Sequence, residues 1–185
     1  MKTACLDGLW QEGRDFLGVR YPIMCGAMTW ISDATLVKAV SDQGGFASLA
    51  AGNMPGEALA AEIEKCAGVT KQPFGVNLVT IAPNFPAHKE AAMQSKAPIV
   101  IFAGNFPKRN DVAQMKAAGK KVLSFASTDS IADQMVRFGV DGLILEGSEA
   151  GGHIGHVSTM ILLQQVLFHQ PNVPVFVGGG VPPAG

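Results

Sequence analysis

Apolar residues gather along the chain in short runs, separated by longer stretches in which they recur at helical spacing. The runs predict strands at Pro22–Ala27, Gly45–Ala50, Phe74–Val79, Ile99–Ala103, Lys121–Phe125, Gly142–Leu145 and Val173–Gly178. They recur at intervals of roughly 20–30 residues, the rhythm of βα units in a parallel sheet. Between them the pattern predicts helices. Ala34–Gln43 starts after the capping residues Ser32 and Asp33 and stops at Gly44-Gly45. Pro55–Cys66 follows Asn53 as its cap, Asn110–Ala118 ends at Gly119, and Asp129–Phe138 ends at Gly139. Thr159–His169 carries apolar Ile161, Leu162 and Val166 and ends before Pro171.

Strands of βα type in unbroken succession favour a (β/α)₈ barrel over an open doubly wound sheet. A barrel of this kind has about 250 residues, whereas this chain has 185. The expectation is an α/β TIM barrel truncated after its seventh strand, with residues 1–185 forming a single incomplete barrel domain. Such a sheet leaves a strand edge open, which is an aggregation liability.

Barrel enzymes place their chemistry at the C-terminal ends of strands, and here those ends are small or polar. They read Cys25-Gly26-Ala27-Met28, Ala51-Gly52-Asn53, Asn77, Ala103-Gly104-Asn105, Ser124 to Ser127, and Gly178-Gly179-Gly180. The sixth end is the richest: Glu146-Gly147-Ser148-Glu149-Ala150-Gly151-Gly152-His153-Ile154-Gly155. Glycines let a backbone approach a bulky ligand and expose its N–H groups to phosphate. One imidazole among them, His153, adds an acid–base group. Together they describe an active-site loop.

Composition narrows the field. A net charge of −1 gives no reason to expect nucleic acid or an anionic membrane as partner. No apolar run approaches the roughly 18 residues of a membrane span. Met1 to Asp15 lacks a signal-peptide core, and Cys5, Cys25 and Cys66 are odd in number and widely spaced. A cytoplasmic protein with reduced thiols and no metal site is expected. His88 and His169 read as surface residues, and His156 as a loop residue. Cys25 reads as a small buried residue, Trp30 as a candidate pocket wall, and Trp10 as an anchor for the N-terminal segment. The roles of Glu146 and Glu149 stay open between ligand contact, support of His153 and simple solvation.

Glu149-Ala150-Gly151-Gly152-His153-Ile154-Gly155 resembles the signature of the flavin-dependent family of nitronate monooxygenases and flavoprotein enoyl-acyl-carrier-protein reductases. Supporting stretches are Tyr21 to Met28, Gly52 to Pro55, Pro73 to Asn77 and Pro174 to Gly180. The resemblance runs from about Val19 to Gly180 and implies an FMN-binding TIM barrel. It implies that Gly26, Ala27 and Met28 lie along the isoalloxazine ring and that Asn77 bonds its polar edge. Ala150, Gly151 and Gly152 would approach the flavin and its ribityl-phosphate tail, Gly179 and Gly180 would bind the phosphate, and His153 would be the catalytic residue. Two departures stand out. The phosphate-contacting Gly-Thr pair usual after the eighth strand has no counterpart, and Pro182-Pro183 stands where a phosphate-facing helix turn usually begins.

The implied activity is oxidation of a small alkyl nitronate with O₂, His153 removing the α-proton when the substrate is a neutral nitroalkane. One alternative is NAD(P)H-dependent reduction of an enoyl thioester; another is a non-catalytic flavin-binding fragment. Nothing in the pattern sets an oligomeric state.

Overall fold

Every strand runs parallel to its neighbours, and the order across the sheet follows the order along the chain. The computed structural model describes residues 8–169 and 171–180. Cys5 and Pro182-Pro183 lie outside the described residues. Strands β1 (Met24–Cys25), β2 (Phe46–Ala50), β3 (Gly75–Val79), β4 (Ile99–Ala103), β5 (Lys121–Ala126), β6 (Gly142–Glu146) and β7 (Val175–Gly178) form one sheet. Helix α1 (Gln11–Leu17) precedes them, and α2 (Ala34–Asp42), α3 (Gly56–Val69), α4 (Phe85–Gln94), α5 (Arg109–Ala117), α6 (Asp129–Phe138) and α7 (Thr159–Phe168) fill the crossovers. All seven predicted strands are present, and β1 and β7 form the two edges of an α/β half-barrel.

The edge strands are shorter than predicted. β1 pairs only through Met24↔Phe46 and Cys25↔Ala47. Pro22 and Pro174 have no N–H to give a ladder, although the Pro174 carbonyl still accepts from Leu143 N at 2.9 Å. The central pair, β3 with β4, runs in full register from Gly75↔Ile99 to Val79↔Ala103.

Alternation along the strands sorts side chains onto two faces. Val76, Leu78, Val100, Phe102, Leu143 and Leu145 join Leu59, Ile63, Met115, Met135 and Leu162 of the helices in the main core. Ile99, Ile101, Leu123 and Ile144 face the other way and cluster with Phe46 and with Leu17 of α1. Both faces are therefore apolar, as a parallel sheet covered on two sides requires.

Helix α1 closes the N-terminal end of the strands. Lys121 Nζ, at the start of β5, donates to Phe16 O at 2.6 Å. The Phe16 and Phe176 rings sit 5.8 Å apart. Leu17 is fully buried, a contribution of about 1.5–3 kcal/mol. Trp10 meets Tyr21 edge-on at 6.2 Å, the anchoring role expected of it. With this end filled, the opposite end is left for ligands.

Local signals explain most helix starts. Asp33 caps α2, its Oδ1 accepting from Leu36 N at 3.0 Å and Thr35 N at 2.9 Å. Those bonds hold its carboxyl below the ordinary carboxylate range. Thr128, just before the predicted start, caps α6 through Ile131 N. The N-cap of α3 is Pro55 rather than Asn53, and no side chain bonds there. Asp111 accepts from Lys108 N at the start of α5 and pairs with Lys89 at 2.7 Å. Helices α1 and α4 were not predicted. α4 buries only His88 and Ala92, so it lacks the bulky apolar stripe that marks an amphipathic helix.

His88 corrects the sequence reading. It is not a surface residue but fully buried. Its Nε2 lies 2.6 Å from Met54 O, a carbonyl that also accepts from Asn84 Nδ2 at 3.2 Å. α4 thereby ties down the loop after β2. His169 is exposed as expected.

Candidate functional site

The residue order of β6 delivers the site. Leu143 and Leu145 anchor the strand in the core, and the chain then turns through residues 147–158 into α7. Ser148 N donates to Val157 O at 2.9 Å, which pinches the loop closed at its base. Gly155 is required there, since a Cβ would lie 2.4 Å from Glu146 O. Glu149 fixes the far side. Its Oε2 accepts from both the backbone N and the hydroxyl of Thr159 at 2.8 Å. This caps α7 from ten positions upstream and holds the Glu149 carboxyl below its ordinary range. Of the readings left open for Glu149, the structure gives it a loop-fastening role.

The end of β7 packs on this loop. A Cβ on Gly179 would lie 2.4 Å from Ala150 Cα, and Gly179 itself has φ +86°, a conformation natural to glycine. The structure thus brings together Ala150, Gly151, Gly152, Gly179 and Gly180. At Gly151 and Gly152 a Cβ would meet nothing within 4 Å. The amides of Gly151, Gly152, Gly179 and Gly180 have no hydrogen-bond partner among the described residues. Free backbone N–H groups grouped at strand ends suit an anion.

Gly26, Ala27 and Met28 follow β1 at the same end of the sheet, whereas Asn77 lies within β3. Met28 N donates to Ser32 Oγ at 2.9 Å, folding this segment into a turn. Gly26 faces open space where a Cβ would stand. Asn77 is buried at the centre of β3, between Ala50 and Ile101. Trp30 is 78% exposed and lines neither the cavity along β1 nor the one that contains His153. Cys25 is only half-buried and lines an apolar hollow of about 470 Å³ along β1, with Tyr21, Ile23, Met24 and Val40. That hollow is the larger of the two, but it contains none of the predicted cofactor or catalytic residues.

His153 lines a smaller cavity of about 140 Å³ at the ends of β4, β5 and β6. Gly104, Asn105 and Phe106 form one wall, Phe125, Ser127 and Ile131 another, and Glu146, His153 and Ile154 the third. Phe106 was not anticipated; its signal is its place between the Gly104-Asn105 strand end and Pro107. Glu146 matters more. Burial pushes its carboxyl from the ordinary 4.5 up to about 7. The carboxyl makes no hydrogen bond or ion pair among the described residues. The cavity therefore joins an imidazole and a proton-retaining carboxyl. No group of three or more His, Cys, Asp and Glu side chains able to hold a metal occurs among the described residues.

A parallel α/β half-barrel with an acid–base pocket and a glycine-amide cradle on its C-terminal rim is the architecture of a barrel enzyme. The chain belongs to the nitronate monooxygenase family, a family of oxidoreductases, which it matches over residues 12–94 and 84–184. It is 33% identical over 168 residues to the (3aS,4S,5R,7aS)-5-hydroxy-7a-methyl-1-oxo-octahydro-1H-indene-4-carboxyl-CoA dehydrogenase of Mycobacterium tuberculosis, across 90% of this chain and 47% of that one. The structure of FabK from Thermotoga maritima superposes with a TM-score of 0.87 at 34% identity, covering 91% of this chain and 53% of that one. The nitroalkane oxidase of Streptomyces ansochromogenes gives 0.83 at 26% identity, covering 91% and 61%. The chain spans about half the length of the dehydrogenase.

Proposed function

We propose that this protein is an FMN-dependent oxidoreductase that oxidises alkyl nitronates with O₂. The reading is carried by one juxtaposition: His153 stands in the loop whose unpartnered glycine amides form an anion cradle with the end of β7. Gly151, Gly152, Gly179 and Gly180 would hold the cofactor's phosphate. Gly26, Ala27, Met28, Asn77 and Ala150 would hold its ring and tail. The fit rests on the open space at Gly26, Gly151 and Gly152, where no Cβ blocks approach. When bound, FMN supplies acceptance of electrons from the nitronate and their delivery to O₂. The protein's part is orientation and proton handling. A ring nitrogen of His153 takes the α-proton of a neutral nitroalkane in the pocket that Phe106, Phe125 and Ile154 also line.

The test is oxygen uptake by the flavin-loaded, full-length protein supplied with ethyl nitronate. Turnover with a bound yellow cofactor identified as FMN supports the reading. Protein that binds FMN but consumes no oxygen with nitronate would reject it. No helix among the described residues is long and apolar enough to cross a membrane. We place the enzyme in the cytoplasm, where its free thiols at Cys25 and Cys66 would stay reduced.

A second reading, NAD(P)H-dependent reduction of an enoyl thioester, is favoured by the comparisons: the relatives at 33% and 34% identity are the carboxyl-CoA dehydrogenase and FabK. Rapid anaerobic bleaching of the flavin by NADH, followed by reoxidation with an enoyl thioester, would establish it.

A further inference from the structure

The His153 pocket contains a carboxyl that the nitronate mechanism leaves unused. Glu146 ends β6, where register sets it beside Gly178, and its side chain enters the cavity that His153 lines. It is half-buried and has neither a cation nor a hydrogen-bond donor as partner among the described residues. A carboxylate left unpaired in such a place is costly, and the uncharged acid is not.

We propose that Glu146 determines which charge the pocket accepts: as the neutral acid it admits an anionic substrate head beside His153, and as the carboxylate it repels one. The inference rests on the nitronate reading, since a nitronate is the anion in question. The neutral acid also offers its O–H as a donor to an oxyanion, which the carboxylate cannot do. Ionisation therefore removes a hydrogen bond and adds a like charge together.

The charged neighbours are few. His153 lines the same cavity as Glu146; Asn105, Ser127 and Ile131 on the other walls carry no charge. Glu149 is bound to Thr159. Asp129, at the start of α6, accepts from Ser130 N, and Arg109 of α5 bonds Arg137 O and covers the Phe138 ring. Among the residues that line the cavity, only His153 and Glu146 carry ionisable side chains.

The probe is sodium nitrate, an unreactive planar oxyanion whose binding is read from the flavin absorbance of the FMN-loaded, full-length protein. Its Kd is measured from about pH 5.5 to about pH 9, which brackets a carboxyl ionising at about 7. The expected result is a Kd that rises about tenfold per pH unit above 7 in the unmodified protein. The rise should vanish in Glu146→Gln and persist in His153→Asn. In the unmodified protein, the infrared carbonyl band of a protonated carboxyl should disappear over the same range. A flat Kd in the unmodified protein, or an equal rise in Glu146→Gln, overturns the proposal. Ethyl nitronate turnover with a flat nitrate profile removes the gate and keeps the nitronate reading. A nitrate profile owned by Glu146 without nitronate turnover does the reverse.

Discussion

Replacing Glu146 by Gln should stabilise the folded protein, and only above a definite pH. Gln keeps the size of the side chain and cannot ionise. In the folded protein the Glu146 carboxyl retains its proton until about pH 7, against an ordinary 4.5. The folded value is raised, so the folded state holds this proton more tightly than the unfolded chain does. Below 4.5 both states are protonated, and Glu and Gln should be equivalent. Between 4.5 and 7 the unfolded chain gains by ionising, and the native protein loses ground with each step in pH. Above 7 the loss is complete and constant. At about 1.4 kcal/mol per tenfold change, the gap between the two values sets a ceiling of about 3 kcal/mol. The site is only half-buried, and solvent screening brings the expectation to about 1–2 kcal/mol. Urea unfolding of the cofactor-free wild type and variant at pH 4, 6 and 8 measures it. The reasoning fails if the difference is the same at all three pH values, or if Gln is the less stable at pH 8.

Four further outcomes follow from the geometry. His153→Asn should cut turnover of neutral nitroethane about 10²–10⁴-fold while sparing pre-formed ethyl nitronate, which has already lost the proton; equal losses on both substrates in steady-state assays would point to a purely electrostatic role. Gly179→Ala should weaken FMN binding by about tenfold or more, because its Cβ meets the Ala150 backbone at 2.4 Å and its φ of +86° disfavours a side chain. Gly151→Ala, with open space at its Cβ, should unfold within about 0.5 kcal/mol of wild type, as a guanidinium titration can show. His88→Ala should lose about 2–4 kcal/mol, since it empties a fully buried site and removes the 2.6 Å partner of Met54 O.

The strands were legible because β4, β5 and β6 carry apolar side chains on both faces, and a run such as Ile99-Val100-Ile101-Phe102 reads as a strand without help from its neighbours. Helix α4 was not, because its packing rests on Ala92 and on a histidine. A histidine with no chemical neighbours in sequence reads as solvated; only the fold brings the Met54 carbonyl to it across 34 positions. The loop from Glu146 to Gly155 was visible as a site through its glycines and His153. The division of labour between its two carboxylates was not. Glu149 and Glu146 differ in which neighbours fold around them, Thr159 as a donor in one case and burial without a donor among the described residues in the other. That difference arises in tertiary structure.

The placement of α1 connects the fold to the chemistry. Phe46, Ile99 and Leu123 lie at or near the starts of their strands and, with Leu17, fill the inner face at the N-terminal end. On the same face Asn77 lies midway along β3, and the Glu146–His153 cavity lies at the C-terminal end of β6. One set of alternating positions thus changes from large and apolar to polar within the length of a strand. The polar positions lie toward the C-terminal rim, where the loop after β6 is fastened by contacts that do not involve a ligand. Gly155 lies against Glu146 O, Gly179 against Ala150, and Glu149 is bonded to Thr159. Only Gly151 and Gly152, at the loop's tip, face open space. A loop built this way should keep its shape without cofactor, so amide exchange at Thr159, whose N–H is held by Glu149, should be equally slow in cofactor-free and FMN-loaded protein. Glu149→Ala should accelerate that exchange in both forms. If exchange slows only on FMN binding, the cofactor orders the loop, and the rim is not preorganised.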